Sequence, residues 1–90
     1  MLDDLEGAIR DRQMNAPAGS YTASLFAAGP DRIAQKFGEE AIELLIAAQS
    51  QTRDRLIEES ADLAYHLTVL LVSKGVSWQD VAAELTRRQK

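Results

Sequence analysis

The sequence predicts an all-α protein, and three observations carry that expectation. Apolar residues recur at three- and four-residue spacing through five segments. Capping and breaking residues stand between those segments. No segment alternates apolar and polar residues as a half-buried strand would.

The first segment carries a loose stripe of Leu2, Leu5, Ile9 and Met14, weakened by Gly7. A break through residues 15–19 follows, so residues 1–18 are expected to dock loosely. Ser20 suits the cap of a short helix over residues 21–28, anchored by Leu25 and Phe26. Gly29-Pro30 ends it and opens the next, since proline restricts the residue before it and fits a first helical turn.

A long helix is expected from Pro30 to about Gln49. Ile33, Phe37, Ala41, Leu44, Leu45 and Ala48 form its main apolar face, with Ile42 and Ile46 a second stripe roughly opposite. Residues 50–52 form a turn. The helix beyond it, from about Arg53 to Lys74, is apolar nearly all round, which places it in the middle of a bundle. Gly75 is suited to stop it. Ser77 and Asp80 form a capping box for a last helix, with Trp78, Val81, Ala82 and Leu85 facing inward. The basic run from Arg87 to Lys90 complements the dipole at that helix's end.

One hairpin cannot cover a helix that is apolar on every side. Two copies packed into a four-helix-bundle core, with the short helices flanking it, would do so; a homodimer or an assembly of dimers is therefore expected. The chain of 90 residues is sized for a single domain over 1–90. A chain of that size buries only about 60–65% of its unfolded surface, which also favours a shared core.

Composition narrows the function classes. Fourteen acidic residues against ten basic ones give a net charge of −4, which argues against a nucleic-acid partner. The absence of cysteine excludes disulfides and thiolate zinc sites and fits a reducing, cytoplasmic compartment. The start lacks the pattern of a signal peptide, and no apolar run is long enough to span a membrane.

The candidate site lies within the two long helices. Glu40 and Glu43 stand three residues apart, as do Glu59 and Asp62, so each pair shares a helix face. In an antiparallel hairpin turning near Gln51, Glu43 falls opposite Glu59 and Glu40 opposite Asp62. The four carboxylates form a square, with Lys36 and His66 at one edge. Inward-facing anions repel unless a cation sits among them, and oxygen-rich clusters suit Mg²⁺ or Mn²⁺. A plain solvated face would need basic partners four residues away, and only Lys36 is counted as one, for Glu40. His66 follows Asp62 by four residues and suits either orienting that carboxylate or a core position. Tyr21 and Trp78 read as core anchors before base-stacking residues.

The spacing Glu39-Glu40-x-x-Glu43, fifteen residues, then Glu59-x-x-Asp62 resembles the signature of the all-α nucleotide pyrophosphohydrolases, the MazG-like superfamily. Ser20-Tyr21-Thr22, Gly29-Pro30-Asp31-Arg32-Ile33, Lys36-Phe37-Gly38 and Tyr65-His66 bring it closer to the phosphoribosyl-ATP pyrophosphatase family. The resemblance covers residues 20 to about 75. It implies Mg²⁺-dependent hydrolysis of phosphoribosyl-ATP to phosphoribosyl-AMP and pyrophosphate, the second step of histidine biosynthesis. It also implies Glu40, Glu43, Glu59 and Asp62 as metal ligands and Lys36, Ser20, Tyr21, Thr22 and Arg32 as substrate contacts. The expected catalytic set is Glu39, Lys36 and His66, with Lys36 pairing with a phosphate and Glu39 or an outer carboxylate orienting the attacking water. Two alternatives are a house-cleaning nucleotide pyrophosphohydrolase of the same superfamily and a non-catalytic helical dimerisation module.

Overall fold

The computed structural model describes residues 1–89, so the last residue of the basic tail, Lys90, lies outside the described residues. Five helices follow one another: α1 Leu2–Asn15, α2 Tyr21–Ala28, α3 Pro30–Ser50, α4 Arg53–Ser73 and α5 Trp78–Arg88. Among the described residues there is no strand. The all-α class is as the sequence predicts, and the boundaries fall where the capping residues place them.

Local chemistry explains those boundaries. Ser20 Oγ accepts from Ala23 N at 3.1 Å and starts α2. Pro30 occupies the first turn of α3, where its missing N–H is not needed. Thr52 caps α4 by accepting from Arg55 N at 3.3 Å. Gly75 follows α4 at φ 72°, a left-handed conformation that costs glycine little. There Gly75 N bonds Val72 O and Val76 N bonds Leu71 O, the two bonds of a Schellman stop. At α5, Asp80 N donates to Ser77 Oγ at 3.1 Å and Ser77 N to Asp80 Oδ2 at 2.9 Å, so the expected capping box is formed.

Gln51 and Thr52 turn the chain back, and α3 and α4 pack against each other along the most extensive contact in the fold. The apolar core sits away from that turn, where Ile33 on α3 meets Val69 and Val72 on α4 beneath Ile9 of α1 and Leu25 of α2. Phe26, Tyr65, Leu70 and Leu5 pack around it.

Three expectations need correction. The first is the loose docking of residues 1–18. Ile9 is only 2% exposed and belongs to the core, and Glu6 on the same helix accepts from Trp78 N at 2.7 Å. A weak stripe is enough here because one isoleucine and one carboxylate anchor α1; Met14, counted in the stripe, is exposed.

The second concerns the faces of α3. Its buried line is Ile33, Glu40 and Ala47, at a spacing of seven, while Leu45 and Ala48 of the expected inner face point outward with Ile42 and Ile46. Seven residues are close to two full turns, so this line stays on α4 along the whole helix. The third concerns α5. Leu85 and Ala82 are exposed while Trp78 and Val81 are half-buried, because α5 leans on α1 and reaches α4 through Trp78.

Candidate metal centre

The seven-residue seam explains how acids come to lie inside. On α3 it places Glu40 between Ile33 and Ala47, and on α4 it places Glu59 and His66 two turns apart on the buried face. Glu40 is 8% exposed and Glu59 only 4%. Their partners in each acidic pair, Glu43 and Asp62, lie to the side of the seam and are exposed. Three residues rotate a helix by less than a full turn, so each pair has one inner and one outer carboxylate.

Glu40, Glu43 and Glu59 converge, with one carboxylate oxygen of each within 4.8 Å of the others. Asp62 is not in that group, so the expected square is a triangle with its fourth corner displaced to the flank of α4. A cleft of about 200 Å³ opens beside the triangle, lined by Glu43, Ile46, Gln51, Arg55 and Glu59.

Two cations bracket the cluster. Lys36 Nζ lies 3.5 Å from both Glu40 Oε1 and Glu39 Oε1. Partial burial works against the charge on Lys36, but Tyr21, Glu40 and Glu39 outweigh it and hold its pKa above the ordinary value. At the turn end, Arg55 Nη2 pairs with Glu59 Oε1, and Nη1 bonds Glu58 Oε1 at 2.5 Å. The pair Arg55–Glu59 has the four-residue spacing of a helical ion pair, so Lys36–Glu40 is not the only such pair in the cluster, as the sequence reading had it.

The pairing is incomplete. Glu40 Oε2 and Glu59 Oε2 are both buried, and among the described residues neither has a hydrogen-bond partner. An orphaned carboxylate oxygen in the interior is costly, and two of them beside a third acid are costlier still. A hard divalent cation with oxygen ligands answers that deficit. Glu40, Glu43 and Glu59 therefore fit such an ion by donor type, by mutual distance and by their unpaired oxygens.

The remaining candidate residues gather at the other end of the cluster. His66 Nδ1 lies 2.8 Å from the backbone oxygen of Asp62, and Nε2 lies 3.1 Å from the Tyr21 hydroxyl. A carbonyl oxygen only accepts, so Nδ1 carries the proton; in the neutral ring Nε2 then accepts from Tyr21. His66 thus holds the backbone at Asp62 and the Tyr21 hydroxyl; of its two sequence readings, a buried core histidine is the one found, and its bond goes to the Asp62 carbonyl. Thr22 is buried with its hydroxyl bonded to the Tyr65 hydroxyl, which makes it part of the α2–α4 contact. Burial pushes the Tyr65 phenol up, with the Thr22 hydrogen bond acting against it. Tyr65 meets His66 edge-on at 4.9 Å and stacks against Tyr21 at 6.2 Å.

Ser20 spends its hydroxyl on the helix cap. Tyr21 is half-exposed and Arg32 is exposed on the first turn of α3, so both face solvent on the Lys36 side. Glu39 is outside the carboxylate triangle and accepts from Gln35 Nε2 at 3.2 Å. Trp78 is an anchor, as expected: its Nε1 donates to Thr68 Oγ1 at 2.9 Å. Tyr65 enters the sequence argument only through the Tyr65-His66 motif, and Arg55 is the site residue that the sequence pattern did not single out.

A helical hairpin with acids converging on its inner seam defines an all-α protein with a candidate divalent-cation site. The chain belongs to the phosphoribosyl-ATP pyrophosphohydrolase family, whose model matches residues 2–89. It is 48% identical over 90 residues to the phosphoribosyl-ATP pyrophosphatase of Metallosphaera sedula, covering 100% of this chain and 97% of that protein. Against the phosphoribosyl-ATP pyrophosphatase of Pyrobaculum aerophilum it is 49% identical over 90 residues, covering 100% and 96%. It is also 52% identical over 87 residues to the histidine biosynthesis bifunctional protein HisIE of Bacteroides thetaiotaomicron, covering 97% of this chain and 43% of that protein.

Proposed function

We propose that this protein hydrolyses phosphoribosyl-ATP to phosphoribosyl-AMP and pyrophosphate, the second step of histidine biosynthesis, with Mg²⁺ as its cofactor and Mn²⁺ as a substitute. The family and its named relatives support the reaction. The observation that carries the site is the pair of buried, unpartnered oxygens on Glu40 and Glu59 beside Glu43.

In this reading Glu40, Glu43 and Glu59 hold the ion, with Asp62 an outer carboxylate of smaller effect. A bound divalent ion would lower the charge on the phosphate oxygens, which is the main requirement for breaking a phosphoanhydride. Lys36, mostly buried and held in its charged form, adds a fixed positive charge at the Tyr21 end of the cluster. Tyr21 and Arg32 contact the nucleotide from the same side. His66 holds the Tyr21 hydroxyl in place, and Ser20 and Thr22 act by fixing the start of α2. Glu39, exposed beside Lys36, orients the attacking water; full turnover in Glu39→Gln would remove it from the mechanism.

A homodimer completes the proposal. Ile42, Leu45 and Ile46 on α3 and Leu56 and Ile57 on α4 are exposed around the turn end, and a second hairpin laid on them would make the four-helix bundle. We place the protein in the cytoplasm, a reading supported by its lack of cysteine. Among the described residues, no helix is long and apolar enough to cross a membrane.

The test is pyrophosphate release with Mg²⁺ from phosphoribosyl-ATP beside ATP, dUTP and the other common triphosphates. Release from phosphoribosyl-ATP alone supports the assignment. Equal turnover of ordinary triphosphates would place the chain with the house-cleaning enzymes. No release from any of them would leave a helical dimerisation module.

A further inference from the structure

Arg55 has no part in the reaction as described so far, yet it lies against the most deeply buried acid of the cluster. It sits in the first turn of α4 with its side chain half in solvent, while that of Glu59 is only 6% exposed. Its guanidinium is divided among three acceptors: Nε to Gln51 Oε1 at 3.3 Å, Nη1 to Glu58 Oε1, and Nη2 to Glu59 Oε1. It also lines the cleft that opens beside Glu43 and Glu59. Lys36 does for Glu40 what Arg55 does for Glu59; each cation takes Oε1, and each Oε2 is left unpartnered.

A guanidinium does not lose its proton, so Arg55 can surrender Glu59 only by moving. The geometry allows that. Glu58 is exposed and is held through a different nitrogen, so releasing Glu59 still leaves the guanidinium paired. An ion pair with one member in solvent exchanges readily. The planar fork of arginine also matches the oxygens of a phosphate group.

We propose that Arg55 is the resident counter-ion of Glu59 in the metal-free protein and a phosphate-binding residue once a divalent ion has taken its place. The guanidinium gives up Glu59, keeps Glu58, and turns into the adjoining cleft toward the phosphates. This inference rests on the carboxylate cluster being the metal centre. It makes Arg55 act in opposite senses on the two ligands, competing with the ion and assisting the phosphate.

The experiment measures Mn²⁺ binding by calorimetry for the full chain, Arg55→Gln and Arg55→Lys, and then pyrophosphate binding to each Mn²⁺-loaded protein. Circular dichroism confirms that the variants are folded. Arg55→Gln is expected to bind Mn²⁺ roughly tenfold more tightly and pyrophosphate roughly tenfold more weakly. Arg55→Lys keeps the charge and loses the fork, so Mn²⁺ affinity stays near that of the parent while pyrophosphate binding falls. Tighter Mn²⁺ with unchanged pyrophosphate in Arg55→Gln would make Arg55 a static ion pair and overturn the proposal. Unchanged or weaker Mn²⁺ would overturn it as well. If the parent chain itself binds no Mn²⁺, the metal reading fails and takes this inference with it, a result distinct from a parent that binds and variants that do not differ.

Discussion

The two ends of the α3–α4 hairpin are built on opposite rules. Away from the turn, Ile33, Val69 and Val72 are buried beneath Ile9 and Leu25, and the charged residues Asp31, Arg32 and Lys74 are exposed. Near the turn, Glu40 and Glu59 are buried, while Ile42, Leu45, Ile46 and Ile57 are exposed, Leu45 by 64%. The first end is mainly a hydrophobic core that stabilises the chain by keeping apolar area from water, and its buried polar groups, Thr22 and Thr68, are hydrogen-bonded. The second end carries buried charge and uncovered apolar surface, both of which cost stability in an isolated chain. The difference separates the part of the hairpin that folds the chain from the part on which the proposed ion and the proposed second hairpin would act.

The sharpest way to break this comparison is to remove one inner carboxylate. Glu59→Gln is expected to lower pyrophosphate release on the order of a thousandfold, since ion-mediated stabilisation of the transition state is worth several kcal/mol. Its melting temperature without metal should hold or rise, because a buried anion with an unpartnered oxygen is gone while the half-exposed Arg55 keeps Glu58. Asp62→Asn, outside the triangle, should cost less activity than Glu59→Gln; equal losses would restore the four-cornered square.

Next in size is the contrast between two apolar residues. Ile9→Ala empties part of the core and should cost about 2–5 kcal/mol in urea unfolding. Leu45→Glu should cost far less in the stability of the isolated fold and should shift the mass seen by light scattering from that of the proposed dimer to that of a monomer. A variant that keeps the parent's mass would remove the turn end from the dimer contact.

The smallest effect belongs to α5, which leans on α1 and reaches α4 through Trp78. The backbone and side-chain hydrogen bonds from Ser77 hold the Asp80 carboxyl below its ordinary value of 3.8. A carboxyl with a lowered folded-state pKa contributes stability above its unfolded value and loses it as the pH falls through the folded one. The melting temperature should therefore decline slightly below about pH 4, and Asp80→Asn should remove that part of the decline.

The boundaries of α2 to α5 were legible in the sequence to within a residue or so, because caps and breakers act locally. Ser20, Pro30, Gly75 and the Ser77–Asp80 box each work through neighbours within a few residues, and Thr52, read only as part of a turn, proves to be a cap as well. The acidic spacing also located the candidate site. What the pattern did not disclose is which tooth of each pair turns inward. That depends on the seam through Ile33, Glu40 and Ala47, and an acid at its midpoint is invisible when only apolar residues are traced. The Arg55–Glu59 pair had a plain signal in its four-residue spacing, and checking both sides of each acid would have found it. The docking of α1 had little local signal, because Ile9 meets residues far along the chain.

The most direct test of the central claim is the melting temperature of the parent chain and of Glu59→Gln, each with and without Mn²⁺. A ligand that binds only the folded state raises its stability, so the parent should melt higher with the ion present. Glu59→Gln should start at or above the metal-free parent and gain little from Mn²⁺. A parent indifferent to Mn²⁺, or a variant that gains as much as the parent, would contradict the assignment of the buried carboxylates to a cation.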